Sequence, residues 1–338
     1  MDKITHQILR TRMHGLYISR ACPNLTQLAH ELLGMHCWFH RNVAFSALLR
    51  GAPIAGWKTA LTKTWLYRGT LHGVPYDDLP LLLSLHADLE NEGAYFNWLG
   101  LSEAQVQVIG EKVLALMEDG VYSRAEMRRI FVQEYEPQVV EKVFSSWGGI
   151  FVPLARQGKV AFRNMTSRDF DLIEATPSQN AQQALPELLR RYFSAYGPAT
   201  LADAAWFFGL MKSKKHLLDE VDLSEFLRLE HDGDVYYYTQ NSTSMAEIPP
   251  LQLLSGFDPL IVSYANRNAI LPQAYKKAVI LKSGICLPSI AINGKVAGIW
   301  NIKNGKPVLE FFEEQPRSLK SEAFEMVDEI RRKTAATL

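Results

Sequence analysis

Three times in succession the chain runs helix, helix, then two short β patterns around a turn. No other feature constrains the fold as much. In residues 24–75, Cys22-Pro23-Asn24 ends a first helix, and Asn24 is suited to cap the next. Leu25, Leu28, Ala29, Leu32, Leu33 and Met35 follow helical spacing, and a second helix runs through Val43, Ala44, Leu48 and Leu49 to Gly51. Trp57 to Lys63 reads as a short basic helix in the position of a recognition helix. Lys63 to Val74 then reads as strand, turn and returning strand, with Gly69 free to take the angles a tight turn needs. Helices followed directly by such a pair describe a winged helix-turn-helix. The hairpin reads equally as plain structure, with Trp65 and Leu71 in a core.

The second unit has Ser102 capping a helix to Glu118, a Ser123-Arg-Ala-Glu126 capping box, a helix from Pro137, and a hairpin of Phe151–Leu154 with Val160–Phe162. The third has a helix to Tyr196, Thr200 capping a helix through Phe208, and a break at Gly209. A helix opened by Lys212-Ser-Lys214-Lys215 follows, then a wing of Phe226–Leu229 and Val235–Thr239. Tyr236 and Tyr238 share a strand face and read first as core. Beyond Pro249-Pro250 the patterns turn to β at Leu260–Tyr264, Ser289–Ile292, Lys295–Trp300 and Val308–Phe312, with Asn293-Gly294 as a hairpin turn and a charged helix over 318–334. The fold class expected is α+β, mainly helical. Three tandem winged helices (1–98, 99–180, 181–249) precede a β-rich, barrel-like domain with a terminal helix (250–338).

Charge is unevenly spread. The 36 Lys and Arg balance 36 Asp and Glu, yet residues 1–75 hold nine cations against two acids, so +7 there faces −7 elsewhere. That suggests a polyanion-facing N-terminal segment, or a basic dimer surface that pairs with an acidic one. Three scattered cysteines form neither a disulfide framework nor a zinc ribbon, in keeping with a reducing cytoplasm. No apolar run is long enough to span a bilayer. Nothing points to a metal, nucleotide or redox cofactor.

Four stretches carry a resemblance: Thr64-Trp-Leu-Tyr-Arg-Gly-Thr-Leu-His72, Tyr196-Gly-Pro-Ala-Thr-Leu-Ala-Asp-Ala-Ala-Trp206, Phe257-Asp258 with Tyr264 to Arg267, and Asn293-Gly-Lys-Val-Ala-Gly-Ile-Trp300. Together, in order and spacing, they resemble the bacterial tandem winged-helix DNA glycosylases, AlkZ and its YcaQ-like relatives. The resemblance implies removal of bulky N7-alkylated purines from double-stranded DNA, including one side of an interstrand crosslink, by a nucleoid-associated monomer. It places the family's Gln-x-Gln or Gln-x-Asp motif on His36-Cys37-Trp38, a departure in both polar positions.

A neutral His36 can accept a hydrogen bond from water, whereas Trp38 has only an N–H donor and a ring to stack. His40, one helical turn after His36, is the candidate second polar group; both also read as ordinary helix histidines. No carboxylate or third ligand accompanies them at metal-site spacing. Arg41, Lys58, Lys63, Arg68, His72, Lys212, Lys214 and Lys215 are the candidate DNA contacts. Trp65 supports the site, and Asp258 with Arg267 reads as a structural pair beneath it. The loss of the Gln pair leaves a second reading open, a winged-helix DNA binder without catalysis. An RNA-directed protein fits the same cations.

Overall fold

In the computed structural model the described residues are 2–87, 93–210, 216–240 and 247–335. They divide into two compact units, Met1–Trp57 with Pro186–Leu338, and Lys58–Leu185. Helices and open antiparallel sheets make up both.

The chain opens with α1 (Lys3–Gly15), α2 (Leu25–Glu31), a two-residue strand β1 (Met35–His36) and α3 (Arg41–Leu49). Asn24 caps α2 as its sequence predicts, its side chain accepting from the Gln27 amide. The helical spacing through Met35 stops early, because Leu33 and Gly34 both take positive φ. His36 therefore lies on a strand, and α3 begins only after His40. The two histidines do not share a helix face.

The second unit contains β2 (Thr62–Trp65), β3 (Leu71–Val74), α4 (Leu79–Ala87), α5 (Gly93–Leu99), α6 (Glu103–Glu118), α7 (Arg124–Phe131), α8 (Pro137–Val143), α9 (Phe151–Arg156), β4 (Val160–Phe162) and β5 (Phe170–Leu172). The expected helix over Trp57–Lys63 is a run of turns that leads straight into β2. Trp57 is buried there, as the anchor of a loop rather than the start of a recognition helix. Ser102 closes a full capping box with Gln105, but Ser123 makes no side-chain cap. Phe151–Leu154 is helical. Pro153 sits in the first turn, where its missing N–H removes no helix bond. The hairpin partner of β4 is β5, paired as Val160↔Leu172 and Phe162↔Phe170. Within this unit the strands run β3-β2-β4-β5, all antiparallel, with Lys63 opposite Phe162. Trp65, Phe151, Phe162 and Phe170 fill the adjoining core.

The first unit resumes with α10 (Ala181–Tyr196), β6 (Ala199–Thr200), α11 (Leu201–Phe208), α12 (His216–Asp219), β7 (Leu227–His231) and β8 (Asp234–Tyr238). Thr200 and Asp203 form a reciprocal capping box on α11, and Gly209 ends it in the left-handed region. Next come β9 (Leu251–Leu254), α13 (Pro259–Val262), α14 (Lys276–Val279), β10 (Ser289–Ile292), β11 (Lys295–Lys303), β12 (Lys306–Phe311) and α15 (Arg317–Thr334). Leu260–Tyr264 is thus not a strand; Pro259 opens a short helix that Asp258 caps. The strand is the wholly buried Leu251–Leu254. The expected barrel is an open four-stranded sheet, ordered β12-β11-β10-β9 among the described residues. Its inner face packs with Phe45 of α3 against Ala323, Val327 and Ile330 of α15, so a helix covers the side that closure would have covered.

Candidate active site

The clearest constructed feature lies beneath His36. Arg50, at the end of α3, is wholly buried. Its guanidinium meets the equally buried Asp258 in a bidentate pair, Nη2 to Oδ1 at 2.9 Å and Nη1 to Oδ2 at 3.2 Å. Nε donates to the Leu16 carbonyl at 2.8 Å, and Nη1 also reaches Ser46 Oγ at 3.0 Å. The carboxylate further accepts from the Ser255 and Leu260 amides and the Ser255 hydroxyl, at 3.1, 3.1 and 3.2 Å. A buried ion pair is stable only when its remaining hydrogen-bonding capacity is met in this way. The partner of Asp258 is Arg50, 208 residues away. Arg267, expected as that partner, lies over the Trp206 ring at 4.9 Å. Burial lowers its pKa from the usual arginine value.

This pair holds the turn Ser255–Asp258, in which Phe257 takes the left-handed φ of 54°. A non-glycine residue keeps that conformation only where its surroundings impose it. The Phe257 amide donates to the Cys286 carbonyl at 3.1 Å. The turn presents the Phe257 ring, and His36 stacks on it with centroids 3.9 Å apart and planes 6° from parallel. Phe39 approaches the same ring at 6.3 Å. On the neighbouring Gly256, a Cβ would fall 2.8 Å from the Asn42 amide nitrogen, so glycine lets the buried Asn42 carboxamide lie against the backbone. The Asn42 Nδ2 has no hydrogen-bond partner among the described residues. Trp38 is half-buried, and the exposed His40 stacks on Trp57 at 6.1 Å. The site thus gains Arg50, Asn42 and Phe257, which the sequence reading missed. Asn42 carries no signal in the sequence, and Phe257, though part of a stretch that carries the resemblance, shows no link to His36 until the turn places its ring there.

Arg68 and His72 belong to the other unit. The loop between β2 and β3 is five residues long, with Arg68 and Gly69 both at positive φ. Arg68 is half-buried there, and the Arg156 guanidinium lies close to Gly69, giving the loop two cations. His72 is buried in β3. Its Nδ1–H donates to the Thr70 carbonyl at 3.1 Å, and Tyr67 meets the ring edge-on. Burial first, then the Arg68 charge, lowers its pKa from 6.5 to about 3. It is neutral at pH 7 and holds no phosphate. Lys63 is buried as well. Its ammonium donates to the Met165 and Ser167 carbonyls at 3.2 and 3.4 Å and lies over the Phe162 ring, so its expected phosphate contact is withdrawn. Trp65 is core, packed on Phe162 at 4.9 Å. Lys58 and Arg41 are exposed. Lys212, Lys214 and Lys215 lie outside the described residues. All three cysteines are buried and none forms a disulfide, and burial pushes the Cys286 thiol up to about 12.

The family model described as DNA glycosylase AlkZ-like matches residues 57–329, about four-fifths of the chain. The class is therefore DNA glycosylase, and the chain belongs to the AlkZ-like family. The matched span begins at Trp57, beyond the His36 segment. An interstrand DNA cross-link repair glycosylase of Streptomyces sahachiroi is 26% identical over 282 residues, which cover 76% of this chain and 75% of that protein. The solved structure of the Streptomyces sahachiroi DNA glycosylase AlkZ superposes with a TM-score of 0.77 at 22% identity, covering 98% of this chain and 96% of that one. That likeness concerns the fold. No helix among the described residues is long and apolar enough to cross a membrane.

Proposed function

We propose that the chain is a monofunctional DNA glycosylase that hydrolyses the N-glycosidic bond of bulky N7-alkylated purines in duplex DNA, and that it unhooks interstrand crosslinks of that chemistry as a monomer. The observation that carries the reading is the parallel stack of His36 on Phe257, whose turn is locked by the Arg50–Asp258 pair. A ring fixed in plane on both counts is a pre-aimed acceptor at the position where the family's motif falls.

The chemistry asks little of the protein. N7 alkylation leaves the purine cationic, so the base departs with the C1′–N9 electron pair as a neutral molecule and needs no protonating acid. The sugar left behind is oxocarbenium-like, and a water must add to C1′ while its proton moves away. His36 takes that proton or orients the water. Its Nδ1 is buried, and Nε2 is the nitrogen assigned here to the water. The Asn42 carboxamide supplies the amide chemistry that the motif has lost at its glutamines. Trp38 stacks on the lesion or on the base opposite. Arg41, Lys58 and Arg68 with Arg156 grip flanking phosphates, which the winged-helix segments bring to the duplex.

Base release from a duplex carrying one N7-methylguanine, or a bulkier N7-alkylguanine, tests this. Abasic sites are revealed by alkaline cleavage. The wild type releases base, and His36→Ala lowers the single-turnover rate by about 10²–10⁴, the usual share of a positioned base. Trp38→Gln changes the rate less, because it restores a group of the family's type. A wild type that binds duplex in a salt-sensitive manner yet releases nothing would make the chain a binder.

A further inference from the structure

We propose that Trp98 and Trp147, with Lys142, form a stacking platform for unpaired nucleobases of single-stranded DNA. This surface of the Lys58–Leu185 unit is built from residues that the base-release chemistry does not use. The proposal rests on the DNA reading above.

Trp147 is 66% exposed and Trp98 46% exposed, in a unit whose other tryptophan, Trp65, is buried. Exposed indoles are commonly found on mobile loops, but here the turn is fastened from several sides. The Trp147 amide donates to Ser145 Oγ at 3.2 Å and the Gly148 amide to the Ser145 carbonyl at 3.1 Å. The same carbonyl accepts from Arg124 Nη1 at 2.8 Å, and the Ile150 amide reaches the Val143 carbonyl at 2.9 Å. Gly148 and Gly149 both hold positive φ, and a Cβ on Gly149 would lie 1.9 Å from the Val143 oxygen. The Gly-Gly pair is therefore required by a turn whose effect is to hold an indole outward.

Tyr95 ties the two tryptophans to one scaffold. Its hydroxyl donates to the Gly149 carbonyl at 2.8 Å, and its ring packs on Trp98 with centroids 5.4 Å apart. Lys142 adds charge. Its ammonium lies 2.9 Å from where a Gly100 Cβ would stand, two residues beyond Trp98, and it has no ion-pair partner among the described residues. Exposed indoles beside a cation suit a polyanion whose subunits carry flat apolar faces. Base–aromatic stacking tolerates any sequence, and the lysine meets the backbone. A crosslink-processing enzyme meets unpaired bases wherever strands separate beside the lesion.

The test compares binding of a labelled twelve-residue oligothymidylate with that of an abasic oligomer of equal length, using the full chain. The wild type prefers the oligomer that carries bases. Trp147→Ala and Trp98→Ala each weaken that binding roughly tenfold, leave the abasic oligomer unaffected, and leave base release from the lesion duplex within twofold. Trp147→Phe, which keeps a ring, restores most of the loss. Lys142→Ala weakens both oligomers and lowers the salt slope by about 0.7. Equal wild-type binding of both oligomers overturns the platform. So does an unchanged affinity in Trp147→Ala, which would leave the indoles as a protein contact. A wild type that binds neither duplex nor oligomer overturns the DNA reading and the platform together, whereas duplex base release with no base-dependent oligomer binding overturns the platform alone.

Discussion

Two histidines in two different settings show what residue type alone does not reveal. His72 sits within a strand whose four residues are all buried, spends its Nδ1–H on a carbonyl and meets Tyr67 edge-on. His36 lies on a two-residue strand, partly open to solvent, with one face against Phe257. Both stand near tryptophans and arginines in the sequence, and both were candidates for the site. Burial makes the first an interior donor that stays neutral. The second lies at intermediate burial, with one ring face on a clamped turn. The difference lies in what is underneath. His72 is held by its own hairpin, His36 by an ion pair between residues 208 positions apart.

Removing that ion pair would break the comparison most severely. Asp258→Ala leaves the Arg50 guanidinium buried without its counter-charge, which costs about 3–5 kcal/mol. It also frees the turn that holds Phe257 in its left-handed conformation. Urea denaturation should show the loss as a lower midpoint. The double variant Arg50→Met/Asp258→Leu should recover much of it, since two apolar groups leave no orphaned charge. A loss below about 1 kcal/mol in Asp258→Ala would mean that the pair does not hold the turn.

The His72 setting predicts a pH dependence. In the unfolded chain this histidine titrates near 6.5, and in the folded protein near 3. Above pH 6.5 neither state holds the proton, and the full stability is present. Between 6.5 and 3 the unfolded chain takes up a proton that the folded one refuses, so stability falls as pH falls, by about 1.4 kcal/mol per unit. At pH 5 that amounts to about 2 kcal/mol. A His72→Gln variant should lack this component. Parallel stability–pH curves for the two proteins over pH 7 to 5 would show instead that His72 can protonate without leaving its place.

Much of the helical order was legible because caps and periodicity are local. Asn24, Ser102 and Thr200 each cap where their spacing predicts, and α15 closes the chain as expected. The failures share a cause: long-range partners decided them. Phe151–Leu154 is rich in strand formers, yet the positive-φ Gly148-Gly149 turn and a first-turn Pro153 make it a helix, and β4 takes β5 instead. The +7 of residues 1–75 overstated a polyanion-facing surface. Arg12, Arg50 and Lys63 are buried, with Asp203 and Asp258 holding the two arginines. The resemblance pointed to the His36 position, whereas the contacts that hold its ring were not legible. Nothing in a sequence links Arg50 to Asp258, or Phe257 to His36, before the fold does.

The same lesson separates two lysines five positions apart. Lys58 is exposed and Lys63 is bound to carbonyls over an aromatic ring. Lys58→Ala should reduce the salt slope of duplex binding by about 0.9, one phosphate contact, with stability unchanged. Lys63→Ala should leave the slope alone and lower stability by about 1–2 kcal/mol, through two unmet carbonyls and lost packing. Salt titrations of both variants would be read together, and a slope that shifts in Lys63→Ala would return that ammonium to the DNA surface.

The smallest effect concerns two serines that look alike in sequence. Each precedes a helix and has Gln or Glu three residues on. Ser102 accepts from the Gln105 amide while the Gln105 side chain accepts from the Ser102 amide, so two of the unpaired amides at the start of α6 are met. Ser123 makes no such bond. A cap lost from a formed box costs about 1 kcal/mol, and from an unformed one little more than the local change in helix propensity. Ser102→Ala should thus lower the thermal midpoint by a few degrees in differential scanning calorimetry, and Ser123→Ala should hardly move it. Equal shifts would mean that Ser123 closes its box in solution, and that the spacing rule was the better guide there.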